Sequence, residues 1–191
     1  VQTNVAGQVE NAVLLFGGAA AGAPVAERFI PTPAPRFEPV PTTAEPRSGH
    51  AAIPLANGRV LIVGGVGADG VPLATSWLYD PMTNAFLPGP LTLAVPRAGA
   101  AIFTLGSDLV VAGGQDATGA GVATAERFEL AGETFTPLGA VPAYPRWGAT
   151  ATVLEHEAVV LVGGEALDAM TSKPLPVNLI EVYQPRRAAT P

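Results

Sequence analysis

Val60-Leu61-Ile62-Val63-Gly64-Gly65 decides how this chain is read, because it occurs in four versions. The others are Val13-Leu14-Leu15-Phe16-Gly17-Gly18, Leu109-Val110-Val111-Ala112-Gly113-Gly114 and Val159-Val160-Leu161-Val162-Gly163-Gly164. The first glycines stand at 17, 64, 113 and 163, which gives intervals of 47, 49 and 50 residues. A recurrence of that length marks a repeat architecture, and each aliphatic run stopped by glycine reads as a buried strand.

Outward from Gly64, the second unit reads as four short strands. Residues 48–55 are small and apolar, and Asn57-Gly58 is a hairpin turn signal before residues 59–63. A loop over 66–75 leads to a strand ending at Tyr79, and residues 80–84 turn the chain into a fourth strand that begins at Ala85 and carries Phe86. Pro88-Gly89-Pro90 then loosens the chain. The third unit repeats the order, with Phe128 and Phe135 in the places of Tyr79 and Phe86, where an aromatic pair can meet across two strands. In the first unit, residues 1–8 are expected to form the first strand and Glu10-Asn11 its turn. In the fourth, Tyr183 is in place, but Thr190 stands where the outer aromatic belongs, so this unit is expected to lack its outer strand.

Each such sheet cannot bury both faces alone, whereas radial stacking of several does so. The expected fold is therefore all-β: a propeller of about four four-stranded antiparallel blades, over 1–46, 47–96, 97–145 and 146–191, in one domain covering 1–191.

Composition narrows the function. The 191 residues carry a formal charge of −6, are 48% apolar and only 14% charged, and so can bury a core. Lys173 is the one lysine and the arginines are scattered, which argues against a nucleic-acid surface. No apolar run of about 18 residues escapes Gly or Pro, so no transmembrane helix is expected. The absence of cysteine removes disulfides, thiolate metal sites and cysteine nucleophiles. A start at Val1 suits either a processed chain or a piece of a longer one.

Pro-Arg-x-Gly precedes three of the units, as Pro46-Arg47-Ser48-Gly49, Pro96-Arg97-Ala98-Gly99 and Pro145-Arg146-Trp147-Gly148. Together with the doublets and the string from Tyr79 to Phe86, these segments make nearly the whole chain resemble kelch repeats, whose period is about 50 residues. The resemblance implies a propeller of six or seven blades, of which this chain would supply a part. The alternatives are a small four-bladed ring, or closure by pairing the last edge with another segment or chain. The chain departs from the family in having Phe37, Phe86 and Phe135 where a fourth-strand Trp is usual.

The resemblance also implies that Arg47, Arg97 and Arg146 ring the axis and line a ligand face, with bidentate arginine–carboxylate contact as the rationale. The competing reading is that each guanidinium bonds loop carbonyls within its own repeat. Trp147 stands where the other units have Ser48 and Ala98, and could stack on a sugar or a side chain. The doublets Gly17-Gly18, Gly64-Gly65, Gly113-Gly114 and Gly163-Gly164, with Tyr79, Phe86, Phe128, Phe135 and Tyr183, read as structural motif positions. His50 and His156 occupy different positions in different units and do not form a convergent metal set. Asp69, Asp116, Glu165 and Asp168 lie in the loops after the doublets, where paired carboxylates could do acid–base work or simply be solvated. The copper chemistry of galactose-oxidase-like kelch enzymes needs a cysteine and is not carried over.

These residues point to a non-catalytic scaffold that displays loops to a protein or glycan, with no cofactor. The loop over 164–180, holding Met170, Lys173 and Pro174-Leu175-Pro176, is the most individual. A sugar-processing enzyme of mutarotase type and a purely structural repeat module are the rivals. Heavy Ala, Pro, Gly and Arg usage suggests a GC-rich bacterial genome, and analogy places the protein outside the cell or in its envelope.

Overall fold

The computed structural model describes residues 2–5, 8–18, 25–105, 107–140, 144–154 and 158–184. Among them the chain is all-β, with antiparallel sheets and no helix.

A hairpin of β1 (Gln2–Val5) and β2 (Gln8–Asn11) comes first, with Val5 opposite Gln8. This corrects the sequence reading of the first unit: Glu10-Asn11 lies in a strand, and residues 2–5 pair with 8–11 instead of with the doublet strand. Asn11, unlike Asn57, has no glycine after it.

The first repeat sheet is β3 (Val13–Phe16), β4 (Ala26–Ile30) and β5 (Arg36–Pro39) in that order. The second contains β6 (Ala51–Pro54), β7 (Val60–Val63), β8 (Thr75–Asp80), β9 (Ala85–Phe86) and β10 (Leu91–Thr92). Both β9 and β10 pair with β8, so they are one outer strand broken in two. Pro88 and Pro90 cannot donate to a ladder, and Gly89 takes a φ of +75° between them. The third sheet runs β11 (Ala101–Leu105), β12 (Asp108–Ala112), β13 (Thr124–Glu129) and β14 (Thr134–Ala140), with a bulge between Ala125 and Glu126. In the fourth, β15 (Thr150–Val153) and β16 (Val159–Val162) are followed by a separate hairpin of β17 (Glu165–Leu167) and β18 (Pro174–Pro176). Then β19 (Ile180–Tyr183) completes the order β15-β16-β19. Only the third sheet thus has four unbroken strands among the described residues. Thr190, where the outer aromatic was sought, lies outside them.

The turns and aromatic pairs follow from local chemistry. Gly58, at φ +82°, donates its N–H to Leu55 O and closes the β6–β7 turn. Ring centroids are 5.3 Å apart for Tyr79–Phe86, 5.1 Å for Phe128–Phe135 and 5.0 Å for Phe29–Phe37, each across a third-to-outer strand pair.

The doublet strand alternates faces, and that alternation stacks the sheets. Leu14 and Phe16 pack with Val60, Ile62 and Tyr79 of the second sheet. Leu61, Val63 and Leu78 pack with Leu109, Val111 and Phe128 of the third, and Val110 and Ala112 pack with Val159 and Leu161 of the fourth. The second and third sheets each bury one face against their predecessor and the other against their successor. No sheet closes on itself. The two outermost faces stay open: Val13, Leu15 and Phe37 on the first sheet, and Val162, Ile180 and Val182 on the fourth, are all exposed.

Backbone hydrogen bonds tie the sheets in the same order. The first doublet glycine donates to the residue before or at the start of the third strand, as Gly17 to Val25 O at 2.8 Å and Gly64 to Thr75 O at 3.2 Å. The second donates to the next unit's arginine carbonyl: Gly18 to Arg47, Gly65 to Arg97 and Gly114 to Arg146, at 2.9–3.0 Å. Both doublet positions have positive φ in all four units, so glycine fits there with no steric cost. Gly99 N–H donates to Gly49 O and Gly148 N–H to Gly99 O, a second ladder running across the sheets.

Candidate functional site

The Pro-Arg-x-Gly arginines lie at the heart of the second, third and fourth sheets, all three only 1% exposed. Arg97 Nη1 donates to Gly113 O and Thr124 O, both at 2.9 Å, and Nη2 to Glu126 Oε1 at 2.7 Å. Arg146 repeats this with Gly163 O and Leu179 O at 3.1 Å and with the Glu181 carboxylate. Arg47 Nη1 donates to Gly64 O at 2.8 Å and Thr75 O at 2.7 Å. Each guanidinium therefore fastens the doublet strand to the third strand from inside. Burial pulls the Arg47 and Arg97 pKa values down and their carboxylate partners push back; arginine stays charged in either case. The contacts are those of the competing reading, in which each guanidinium bonds carbonyls of its own repeat instead of lining a ligand face, although Arg47 Nε is buried without a partner.

The carboxylate partner changes place in one unit. The position held by Glu126 in β13 and Glu181 in β19 is Trp77 in β8. There the partner of Arg47 is Glu45, two residues before it, at 2.7 Å, and Glu45 also accepts from Thr75 Oγ1 and, at 3.3 Å, from Trp77 Nε1. Burial works against Glu45 ionising, but the Thr75 hydrogen bond and the Arg47 charge outweigh it and hold its pKa low. This substitution is invisible in a single repeat. Its sequence signal is the pairing of a missing third-strand glutamate with a new one at the edge of Pro-Arg.

The loop carboxylates are turn caps. Asp69 Oδ1 accepts from Val71 N–H at 3.0 Å, and Asp116 Oδ1 accepts from Thr118 N–H and Ala120 N–H. Asp168 Oδ1 accepts from Thr171 Oγ1 and N–H, both at 2.7 Å, and from Met170 N–H at 3.2 Å, bonds that lower its pKa. These three aspartates serve their own loops, which does not leave them as a paired acid and base. Among the described residues no three His, Asp or Glu side chains converge to hold a metal ion. His50 is half-buried, edge-on to Phe16, and His156 lies outside the described residues.

Trp147 is where the fourth unit becomes individual. Its backbone pairs with Glu165 in both directions, and its indole Nε1 donates to Glu165 Oε2 at 3.2 Å. The expected loop over 164–180 is a hairpin in which Glu165 faces Pro176 and Leu167 faces Pro174. The equivalent loops of the second and third units make single bridges, Val66 to Pro72 and Gln115 to Gly121. The hairpin tip carries Met170, 95% exposed, and Leu175 and Leu179 are exposed beside it. The register puts Glu165, with its Trp147 partner, on one face of the hairpin and Leu175 on the other, while Met170 is exposed at the tip, groups suited to contact more than to bond-making chemistry.

No family model matches the chain, and no curated protein matches it in sequence. Among the described residues no helix is long and apolar enough to cross a membrane.

Proposed function

We propose that the four sheets are blades of a kelch-type β-propeller segment and that the protein is a non-catalytic recognition scaffold for a protein or glycan. One observation carries this reading: the repeated polar groups serve the framework, while the loop of the fourth unit, elaborated into a hairpin, exposes Met170 and Leu175. Arg47, Arg97 and Arg146 hold sheets together, and Asp69, Asp116 and Asp168 hold turns. The β17–β18 hairpin with Trp147 is the binding surface, displayed on a rigid stack. The resemblance to kelch repeats supports a setting outside a bacterial cell or in its envelope.

The test is to incubate the chain with panels of defined glycans and peptides, measuring retention and, by NMR, any change in the ligand. Retention of an unchanged ligand that is lost in Trp147→Ala and Met170→Asp, with thermal stability kept, is the expected result. Conversion of a sugar would replace this reading with the sugar-processing one. Retention indifferent to both substitutions would remove the hairpin from the site.

A further inference from the structure

Register lines up three side chains across the loop of the fourth unit. Trp147 pairs with Glu165, and Glu165 stands opposite Pro176. Directly opposed residues of antiparallel strands share a face, so indole, carboxylate and pyrrolidine ring stand in one row. Leu167 and Pro174, opposite each other two positions on, continue the same face. Glu165 is therefore an exposed carboxylate with an indole on one side and a proline on the other, and with Leu167 and Pro174 beyond it.

The hydrogen-bond inventory of this row is one-sided. Trp147 Nε1 is the single side-chain donor among these five residues, and Glu165 Oε2 takes it at 3.2 Å. Among the described residues Glu165 Oε1 receives no donor and the carboxylate has no ion pair. What remains is acceptor oxygen and π surface, with no spare side-chain donor. Sugar hydroxyls and amides ask for donors as well as acceptors, whereas lysine and arginine side chains only donate.

Charge points the same way. The loops after the doublets of the second, third and fourth sheets lie at one end of the stack, because one kind of backbone bond links doublet to doublet. They bring Asp69, Asp116, Glu165 and Asp168 to that end against one cation, Lys173. Arg47, Arg97 and Arg146 add little there, since each is buried beside its own carboxylate partner. The field at this end draws cations and repels acidic chains.

We propose, on the basis of the recognition reading above, that the row of Trp147, Glu165 and Pro176 is a subsite for a lysine or arginine side chain presented by a protein partner. The apolar stem lies along Leu167 and the prolines, and the cationic head donates to Glu165 Oε1 and meets the indole face. The apolar neighbours keep water from part of the carboxylate, which strengthens its attraction for the cation. Neutral sugars and acidic segments are the ligands this row disfavours.

The experiment titrates the full chain, carrying isotope-labelled tryptophan, with an end-blocked peptide Gly-Ser-Arg-Ser-Gly and with its citrulline counterpart, at low salt. The chain has two tryptophans. Trp77 is buried and donates to Glu45, so its indole N–H signal is an internal reference. The expected result is a saturable shift of the Trp147 indole signal with the arginine peptide, roughly tenfold weaker binding of the citrulline peptide, as for loss of one charge-assisted hydrogen bond, and an unmoved Trp77. Added salt and Glu165→Gln should both weaken the arginine response. Equal responses to the two peptides, or none at Trp147, overturn the proposal. The citrulline arm needs no variant, so the test holds even if Glu165→Gln disturbs the hairpin. If a neutral glycan or peptide is retained through Trp147 while the arginine peptide fails, this inference falls and the recognition reading stands. If nothing is retained and the arginine peptide also fails, both fall.

Discussion

Arg97 Nη2 lies 2.7 Å from Glu126 Oε1, and the two side chains are 0% and 2% exposed. Glu126 also accepts from Ala94 N–H at 2.7 Å and Val95 N–H at 3.2 Å, so its carboxylate joins the chain entering the third sheet to that sheet's own arginine. Removing one partner leaves a buried charge without compensation, which typically costs about 3–5 kcal/mol. Glu126→Ala is expected to lower stability by that order in urea unfolding. The double variant Arg97→Met with Glu126→Leu should recover part of the loss, since the uncompensated charge is then gone.

The relocated carboxylate of the second sheet should matter less. Glu45 is 35% exposed, so water and salt weaken its pairing with Arg47. Glu45→Ala is expected to cost less than Glu126→Ala, because water can reach the vacated carboxylate site beside Arg47, and its effect should shrink as salt is raised. A loss equal to that of Glu126→Ala would show that the two clamps are equivalent despite their different exposure.

The doublets discriminate packed from open sheet faces. At Gly64, with φ +58°, an added Cβ would run into Arg97 O of the following unit. At Gly163, with φ +69°, it would meet nothing within 4 Å among the described residues. Gly163→Ala should therefore cost only the left-handed strain, about 1–2 kcal/mol. Gly64→Ala should cost more than about 3 kcal/mol because it also breaks the contact between sheets. Thermal unfolding of the two variants compares them directly.

His50 should make the stack sensitive to mild acid. Burial, and after it the Arg47 charge, hold its pKa below the ordinary 6.5. The unfolded chain then binds the proton more readily, so stability is full above about 6.5 and falls as pH drops through the depressed folded value. The equivalent residues in the third and fourth units are Ala100 and Ala149. His50→Ala should lose contact with Phe16 and be less stable at neutral pH, yet show a flatter profile just below pH 6.5. Denaturant midpoints measured at several pH values for both chains check the difference.

Much of the fold was legible because its signals are local. An apolar run with a glycine stop specifies a buried strand, Asn57-Gly58 specifies a turn, and the spacing from Tyr79 to Phe86 specifies a pair across strands. The misses have local causes too. The Pro88-Gly89-Pro90 interruption hid the return of the outer strand at Leu91-Thr92, and the prolines at 174 and 176 disguised a two-stranded hairpin as a loop. Prolines sit at the edge of that hairpin, where a missing donor is tolerated.

The candidate site was less legible. Trp147 stood out by composition, but its partner Glu165 is 18 residues away and meets it only after the hairpin forms. The loop aspartates looked like free carboxylates until their own backbone N–H groups were seen to take them up.

The sequence by itself determined a repeating all-β chain, since strand period, glycine stops and turn residues act over a few positions. Only the tertiary structure decided what the arginines do. Their doublet and third-strand acceptors lie 16 to 35 residues further along the chain, and a guanidinium buried against carbonyls looks the same in sequence as one facing a ligand. The same holds for Glu126. Its identity is plain in the sequence, but its place in an arginine clamp follows from the register of β12 against β13, and register is a property of paired strands.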